Sequence, residues 1–314
     1  MTVSRKQAMS KTDAAPRPVS SGPRTLAIDI GGTALKASVL DSAGEMIADR
    51  VRCPTPYPCP PEVLLKAIET LTAPLPGFER VSIGFPGVIR RGLVLTAPHF
   101  GTDVWANFPL EKAAADLFHH PARLLNDAEV QGLGIIKGDG LEVVLTLGTG
   151  VGSAIFSDGW LAPHLELAQH PLRNNKTYNA YVGNRALREH GVKKWSGRVL
   201  KMIGVVETLL HYDTLYLGGG NARRLAGVDL PDNVRTASND TGITGGVHLW
   251  DDRVWRGIEG GEQHGATATP CKSSKSTPCA SPATARRHDT SSSSPKLDTS
   301  TKAVPSTKSA TGAS

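Results

Sequence analysis

Residues 126–127, Asn-Asp, set an amide beside a carboxylate at the end of the apolar run Arg123-Leu124-Leu125. Two readings are open from these residues alone. Asn and Asp accept hydrogen bonds from the free N–H groups of a helix's first turn, so the pair can be a cap. A carboxylate with an orienting neighbour can also act as a general base. Three glycine-rich stretches then follow apolar runs: "DIGGT" at 29–33, "LGTGVGS" at 147–153 and "LGGGNA" at 217–222. Glycine lets the backbone approach an anion closely with its N–H groups pointing inward. That makes Gly31, Gly32, Gly148, Thr149, Gly150, Gly218, Gly219, Gly220 and Asn221 candidate phosphate-donor contacts. A carboxylate at Asp29, beside amides suited to phosphate, calls for a cation between them, and Mg²⁺ held through retained waters meets that need. Thr33 and Lys36 can reach phosphate oxygens; for Lys36 a solvated position on the next strand is equally open. None of the three loops has the spacing of a P-loop, and none opens a helix as G-x-G-x-x-G with a suitably placed acid.

The elements that must hold these residues read as a repeated α/β plan. "TLAIDI" (25–30), "LKASVL" (35–40) and the alternating "EMIADRVR" (45–52) predict a β-meander, with turn chemistry in "DSAG". "PPEVLLKAIETL" (60–71) puts Leu64, Leu65, Ile68 and Leu71 on one helical face. Strands are expected at 80–85, 123–126, 142–148, 153–159, 214–220 and 233–238. Helices are expected at 110–118, 178–190, 194–212 and 241–250. Each half begins with a glycine-bounded hairpin and continues in alternating strands and helices, which predicts two lobes around a central cleft.

Charge and composition divide the chain differently. The net charge is +6, but residues 1–24 and 261–314 carry +4 each, which leaves −2 for residues 25–260. The basic balance therefore belongs to the ends and gives no support to a nucleic-acid-binding core. Residues 261–314 contain no Phe, Tyr or Trp and are dominated by Ser, Thr, Ala, Pro and Lys, a composition that cannot offset ordering entropy. The four cysteines, Cys53, Cys59, Cys271 and Cys279, form no C-x-x-C pair and complete no zinc site with histidine. No apolar run approaches the ~20 residues of a membrane span. A cytoplasmic setting without membrane or nucleic-acid partners is the expectation.

In order, "LAIDIGGTALKASVL", "GFPGVI", "W-A-NFPL", "LLNDAE", "LTLGTGVGSAIF" and "LYLGGGNA" resemble the motifs of the ROK family of sugar kinases, and most closely its polyphosphate- and ATP-dependent glucokinase branch. The resemblance covers about residues 25–252. It implies an actin-like (ribonuclease H-like) ATPase fold of the α/β class. It also implies a kinase that moves a phosphoryl group from ATP or polyphosphate, with Mg²⁺, to the 6-hydroxyl of glucose or a similar hexose, at the entry to glycolysis. By motif position Asp127 would be the general base and Asn126 would hold neighbouring hydroxyls. Glu166 would bind the sugar, with Gly87 and the Asn107 region lining its pocket. A homodimer is a further family-level expectation.

The corresponding domain layout is a disordered 1–24, an N-terminal lobe at 25–125, a C-terminal lobe at 126–252 whose closing helix packs back on the first, and a disordered tail at 253–314. One departure stands out. The family writes E-x-G-H where this chain has Glu166-Leu167-Ala168-Gln169, followed by His170. Gln169 facing the sugar with His170 structural, or His170 replacing the missing imidazole, are both open. A donor track of basic residues is sought in the second lobe, at Arg173, Lys176, Lys193, Lys194, Arg198, Arg223 and Arg224. A sugar-responsive regulator or a sugar-binding protein without catalysis is the alternative function. The regulator would need a helix-turn-helix that the 24 residues before the first strand do not supply.

Overall fold

The computed structural model describes residues 21–238 and 240–255. The expected disordered segments, and with them Cys271 and Cys279, fall largely outside this range.

Strand β1 (Thr25–Ile30) pairs antiparallel with β2 (Ala34–Leu40), which pairs with β3 (Val51–Pro54). After α1 (Pro61–Thr72), β4 (Arg80–Phe85) returns parallel to β1. A small hairpin, β5 (Ile89–Arg90) with β6 (Leu93–Val94), and helices α2 (Thr102–Trp105) and α3 (Leu110–Phe118) lead to β7 (Ala122–Asn126), parallel to β4. The first sheet is thus ordered β3-β2-β1-β4-β7.

Helix α4 (Asp127–Leu133) follows directly, and the plan repeats. Strands β8 (Leu141–Leu147), β9 (Val151–Ser157) and β10 (Trp160–Leu161) form the second meander. The short pair β11 (Pro171–Arg173) and β12 (Lys176–Thr177) precedes α5 (Tyr178–Val182) and α6 (Asn184–Leu210). Strands β13 (Thr214–Gly218) and β14 (Val234–Thr236) join in parallel, so the second sheet is ordered β10-β9-β8-β13-β14. Helix α7 (Thr241–Thr244), a 3₁₀ turn at Gly245–Trp250 and α8 (Asp252–Trp255) close the described chain. Numbered by appearance, both sheets read 3-2-1-4-5, so the duplication expected from the glycine-bounded hairpins is present strand for strand.

Strand alternation decides which way the chemistry points. In β1, Leu26, Ile28 and Ile30 enter the core under α1 and α3, while Ala27 packs with Leu40, Ile243 and Val247 on the opposite face. Asp29 shares the Ala27 face. In β8, Val143, Leu145 and Leu147 enter the core under α5 and α6, which leaves Val144 and Thr146 on the inner face. Helix α4 sits between the sheets with six of its seven residues buried.

Three expectations are corrected locally. The strand expected at 45–52 is reduced to Val51–Pro54 plus a single bridge from Met46 to Leu40. The Asp41 carboxylate accepts the N–H groups of Ala43 and Glu45, both at 2.9 Å, and so extends the turn. The break expected between 190 and 194 is present at Gly191, φ 71°, and the first of the two expected helices is divided once more, at Gly183. The closing helix is a short α-turn followed by a 3₁₀ turn rather than one helix. Among the described residues no helix is long and apolar enough to cross a membrane. Cys53 and Cys59 are free thiols.

Candidate active site

A cavity of about 360 Å³ opens between the two sheets. It is lined by Asp29, Gly31, Gly32, Thr33 and Lys36 from the first hairpin, by Gly148, Thr149 and Gly150 from the second, and by Gly219, Gly220 and Asn221 after β13. Asn126, Asp127, Gly87 and Glu166 complete its wall. Residues scattered over almost two hundred positions therefore face one space.

The opening dipeptide resolves into two roles. Asn126 is the N-cap of α4: its Oδ1 accepts Ala128 N–H at 2.9 Å, and Glu129 returns the bond to Asn126 N–H at 3.1 Å, a complete capping box. Asn126 Nδ2 donates to the carbonyls of Gly87 at 3.0 Å and Phe85 at 3.4 Å. This ties the Pro86-Gly87 loop to the helix start. A Cβ at Gly87 would collide with the Thr96 carbonyl, so only glycine lets this loop close.

Asp127 is the first residue of α4 and its carboxylate faces the cavity, where its Oδ1 accepts Ala128 N–H at 2.9 Å. Burial and the negative charges of Asp29, Glu129 and Glu166 push its pKa up to about 7; the Ala128 bond opposes them. A carboxylate tuned to neutral pH suits general-base work.

Asp29 bonds Lys36 at 2.6 Å across the β1–β2 pair. Arg52 continues the row on β3 and also lines the cavity. Thr33 Oγ1 lies 3.2 Å from Thr149 Oγ1, so the two hairpin loops meet. In the third loop Gly219 has φ +79°, and a Cβ there would strike the backbone of Leu147, so glycine is required on both counts. Asn221 N–H donates to the Leu147 carbonyl at 2.9 Å and its side chain to the Gly148 carbonyl at 3.2 Å, which fastens the third loop to the second.

Among the described residues no three His, Cys, Asp or Glu side chains form a metal cage. Of the carboxylates on the cavity wall, Asp29, Asp127 and Glu166, Asp29 stands beside the Gly31-Gly32 loop and is the one placed to share a cation with donor phosphates. That donor set fits Mg²⁺, which keeps several waters and takes its other ligands from substrate phosphates.

Some expected contacts are not brought together. Gln169 is exposed in a turn and lies off the cavity wall, and His170 is also exposed, its ring 6.3 Å from that of Tyr178. Neither supplies an imidazole or amide to the pocket. Asn107 is exposed in a left-handed turn, φ 62°, its N–H bound to the Val94 carbonyl at 2.8 Å, a geometry Asn tolerates for backbone reasons. Gly218 is buried against Gln131, one residue short of the cavity. None of the seven basic residues expected in the second lobe lines the cavity; its cationic side chains are Lys36 and Arg52, from the first, beside His99, whose pKa burial lowers.

Other lining residues carry no motif. Asn179, at the start of α5, accepts Val151 N–H at 2.6 Å and shapes the second loop. Gln131 lies one turn after Asp127, a spacing that could have flagged it. His164, which is not itself on the cavity wall, escapes sequence inspection because its partner Glu129 comes from a separate segment.

With this geometry in place, the comparisons are specific. Residues 25–163 match the model of the ROK family. The polyphosphate glucokinase of Mycobacterium tuberculosis (strain ATCC 25618 / H37Rv) is 27% identical over 205 residues, 63% of this chain and 77% of that protein. The N-acetylmannosamine kinase of Escherichia coli (strain SE11) is 38% identical over 142 residues, 44% of this chain and 48% of that one. The crystal structure of the inorganic polyphosphate/ATP-glucomannokinase from Arthrobacter sp. strain KM superimposes with a TM-score of 0.66 at 28% identity, covering 72% of this chain and 97% of that one. The actin-like fold implied by the motifs is the fold found.

Proposed function

We propose that this chain, whose residues 25–163 match the ROK family model, is a sugar kinase that transfers a phosphoryl group from polyphosphate or ATP to the 6-hydroxyl of glucose or a closely related hexose. The observation that carries this reading is the shared cavity: a carboxylate tuned near neutral pH faces three glycine loops across one space. The relatives named above, a polyphosphate glucokinase, a polyphosphate/ATP-glucomannokinase and an N-acetylmannosamine kinase, all act on hexoses or their derivatives.

In this reading Asp127 accepts the proton of the attacking hydroxyl while Glu166 holds other hydroxyls of the sugar. Asn126 contributes mainly by fixing the start of α4 against the Gly87 loop, since both ends of its amide are already engaged. The backbone N–H groups of the second and third loops, with Thr33 and Thr149, receive the donor phosphates. Lys36 and Arg52 add positive charge where the donor's anionic chain enters. Asp29, with waters and donor oxygens, would hold Mg²⁺, which supplies neutralisation of the charge on the transferring group. Phosphoryl transfer asks a protein mainly for such positioning and charge stabilisation.

The test is product analysis. The full chain is incubated with Mg²⁺ and glucose, mannose or N-acetylmannosamine, with ATP or polyphosphate in separate reactions, and sugar phosphates are read by ³¹P NMR. A 6-phosphate from at least one sugar–donor pair supports the assignment. Donor consumption without a sugar ester, or no turnover with any pair, contradicts it.

A further inference from the structure

His164 lies in the loop after β10, with its side chain 12% exposed. Its Nδ1 is 2.7 Å from Oε1 of Glu129. That same glutamate's other oxygen closes the capping box at Asn126, immediately before Asp127. The Nε2 of His164 is buried without a hydrogen-bond partner and faces Oε2 of Glu166 at 3.7 Å. Glu166 lines the cavity, and its Oε1 accepts Ala168 N–H at 2.9 Å. One imidazole therefore lies between two carboxylates, one behind the base and one on the cavity wall.

A protonated imidazole has two donors, which matches two carboxylate acceptors. Burial would lower the pKa of His164, but the hydrogen bond to Glu129 and the close charges of Glu129 and Glu166 outweigh it and push it up to about 9. The charged groups facing the ring are these two, Glu129 from α4 and Glu166 from its own loop. A buried Glu129, 6% exposed, would otherwise lack a counter-ion, and uncompensated buried charge is costly. Because Nε2 is shielded, no sugar can touch it; any effect must pass through Glu166 or through Glu129 and the start of α4.

We propose that His164 is a positioning residue that locks Glu166 to the helix bearing Asp127, so that the sugar-holding carboxylate and the base keep a fixed separation. The inference rests on the sugar-kinase reading of the cleft. It also assigns a place for positive charge behind the sugar pocket, in a chain whose Gln169 and His170 face solvent.

The test titrates glucose, mannose and N-acetylmannosamine into the full chain without donor, by calorimetry, and then measures kcat and KM. His164→Ala should weaken sugar binding and raise the sugar KM about tenfold or more, the scale of a lost charge-assisted bond, while the donor KM stays within about twofold. Added imidazole should restore part of the affinity. In the wild type, sugar affinity should fall as pH rises through about 9, and His164→Ala should lose that dependence. His164→Asn, which keeps a donor near Glu129 but not near Glu166, covers the case where the alanine variant does not fold. It should fold and still show the raised sugar KM. A folded alanine variant, or an asparagine variant, with wild-type sugar affinity overturns the inference. If the wild type binds none of the sugars, the kinase reading fails and this inference with it.

Discussion

The two sheets share one strand order, yet their first hairpins are chemically opposite. Near the end of β1, Asp29 faces Lys36 across the ladder. At the matching place in β8, Thr146 faces Gly152. The first hairpin supplies a charged pair at 2.6 Å; the second supplies a neutral hydroxyl that accepts Gly152 N–H at 3.1 Å. The helices after each fifth strand cross over to the other copy. Helix α4 from the first half brings Ala128 and Asp127 against Gly152, and α7 from the second half brings Gly242 against Asp29. A Cβ on Gly152 would come within 2.6 Å of Thr146 Oγ1 and 2.8 Å of the Ala128 Cβ. The duplicated frame thus carries two specialisations: one copy sets a charged pair at the cavity, and the other leaves room for the start of α4, and under the proposed function these serve the donor and the base respectively.

The largest effect should come from the base itself. Asp127→Asn should lower kcat by about 10²–10⁴-fold, measured as sugar phosphate formed per enzyme. The same change should stabilise the fold. A carboxyl whose folded pKa is raised favours the native state below its unfolded value, near 3.8, and loses that contribution as pH rises through about 7. The gain in Tm should therefore be near zero at pH 4 and clear at pH 8, about 2–4 °C or more if the relief reaches about 1 kcal/mol. Equal Tm at both pH values would remove the electrostatic explanation.

Filling the space reserved by the second hairpin comes next. Gly152→Ala should cost about 1–3 kcal/mol by overpacking and reduce kcat by displacing the start of α4. Gly77→Ala, at a site with nothing within 4 Å of the new methyl group, should do neither. Chemical denaturation of the pair separates crowding from a general intolerance of alanine.

Neutralising the first hairpin should act on one substrate only. Lys36→Met should raise the donor KM about tenfold, with the sugar KM changed by less than about twofold, and the effect should shrink in high salt. A matching rise in sugar KM would mean that the hairpin shapes the whole cleft. The smallest effect is assigned to Gln169→Ala, a surface change expected within about 0.5 kcal/mol of neutral and without influence on sugar KM.

These contrasts also mark how far the sequence was readable. The glycine-bounded hairpins were legible, and Asp29 and Lys36 stood out by chemistry, but that they pair across the ladder is seen only in the register of β1 with β2. The Asn126-x-x-Glu129 capping box is a local signal, so the helix start was legible as well. His164, Arg52 and Asn179 were not. Arg52 and Asn179 reach the cavity, and His164 reaches Glu166 from behind its wall, through pairing between separate segments of the chain, and no spacing rule records such contacts. Gln169 misled for the opposite reason: its position in a motif suggested a pocket contact, but the turn after Leu167 directs it to solvent.

The pH dependence of kcat/KM for sugar phosphorylation, at fixed Mg²⁺ and saturating donor, tests most directly whether Asp127 is the base of this cleft. The wild type should lose activity on the acid side with an apparent pKa near 7, and the residual rate of Asp127→Asn should lack that limb. A wild-type profile flat from about pH 5 to 8, or one unchanged in the variant, would contradict the assignment.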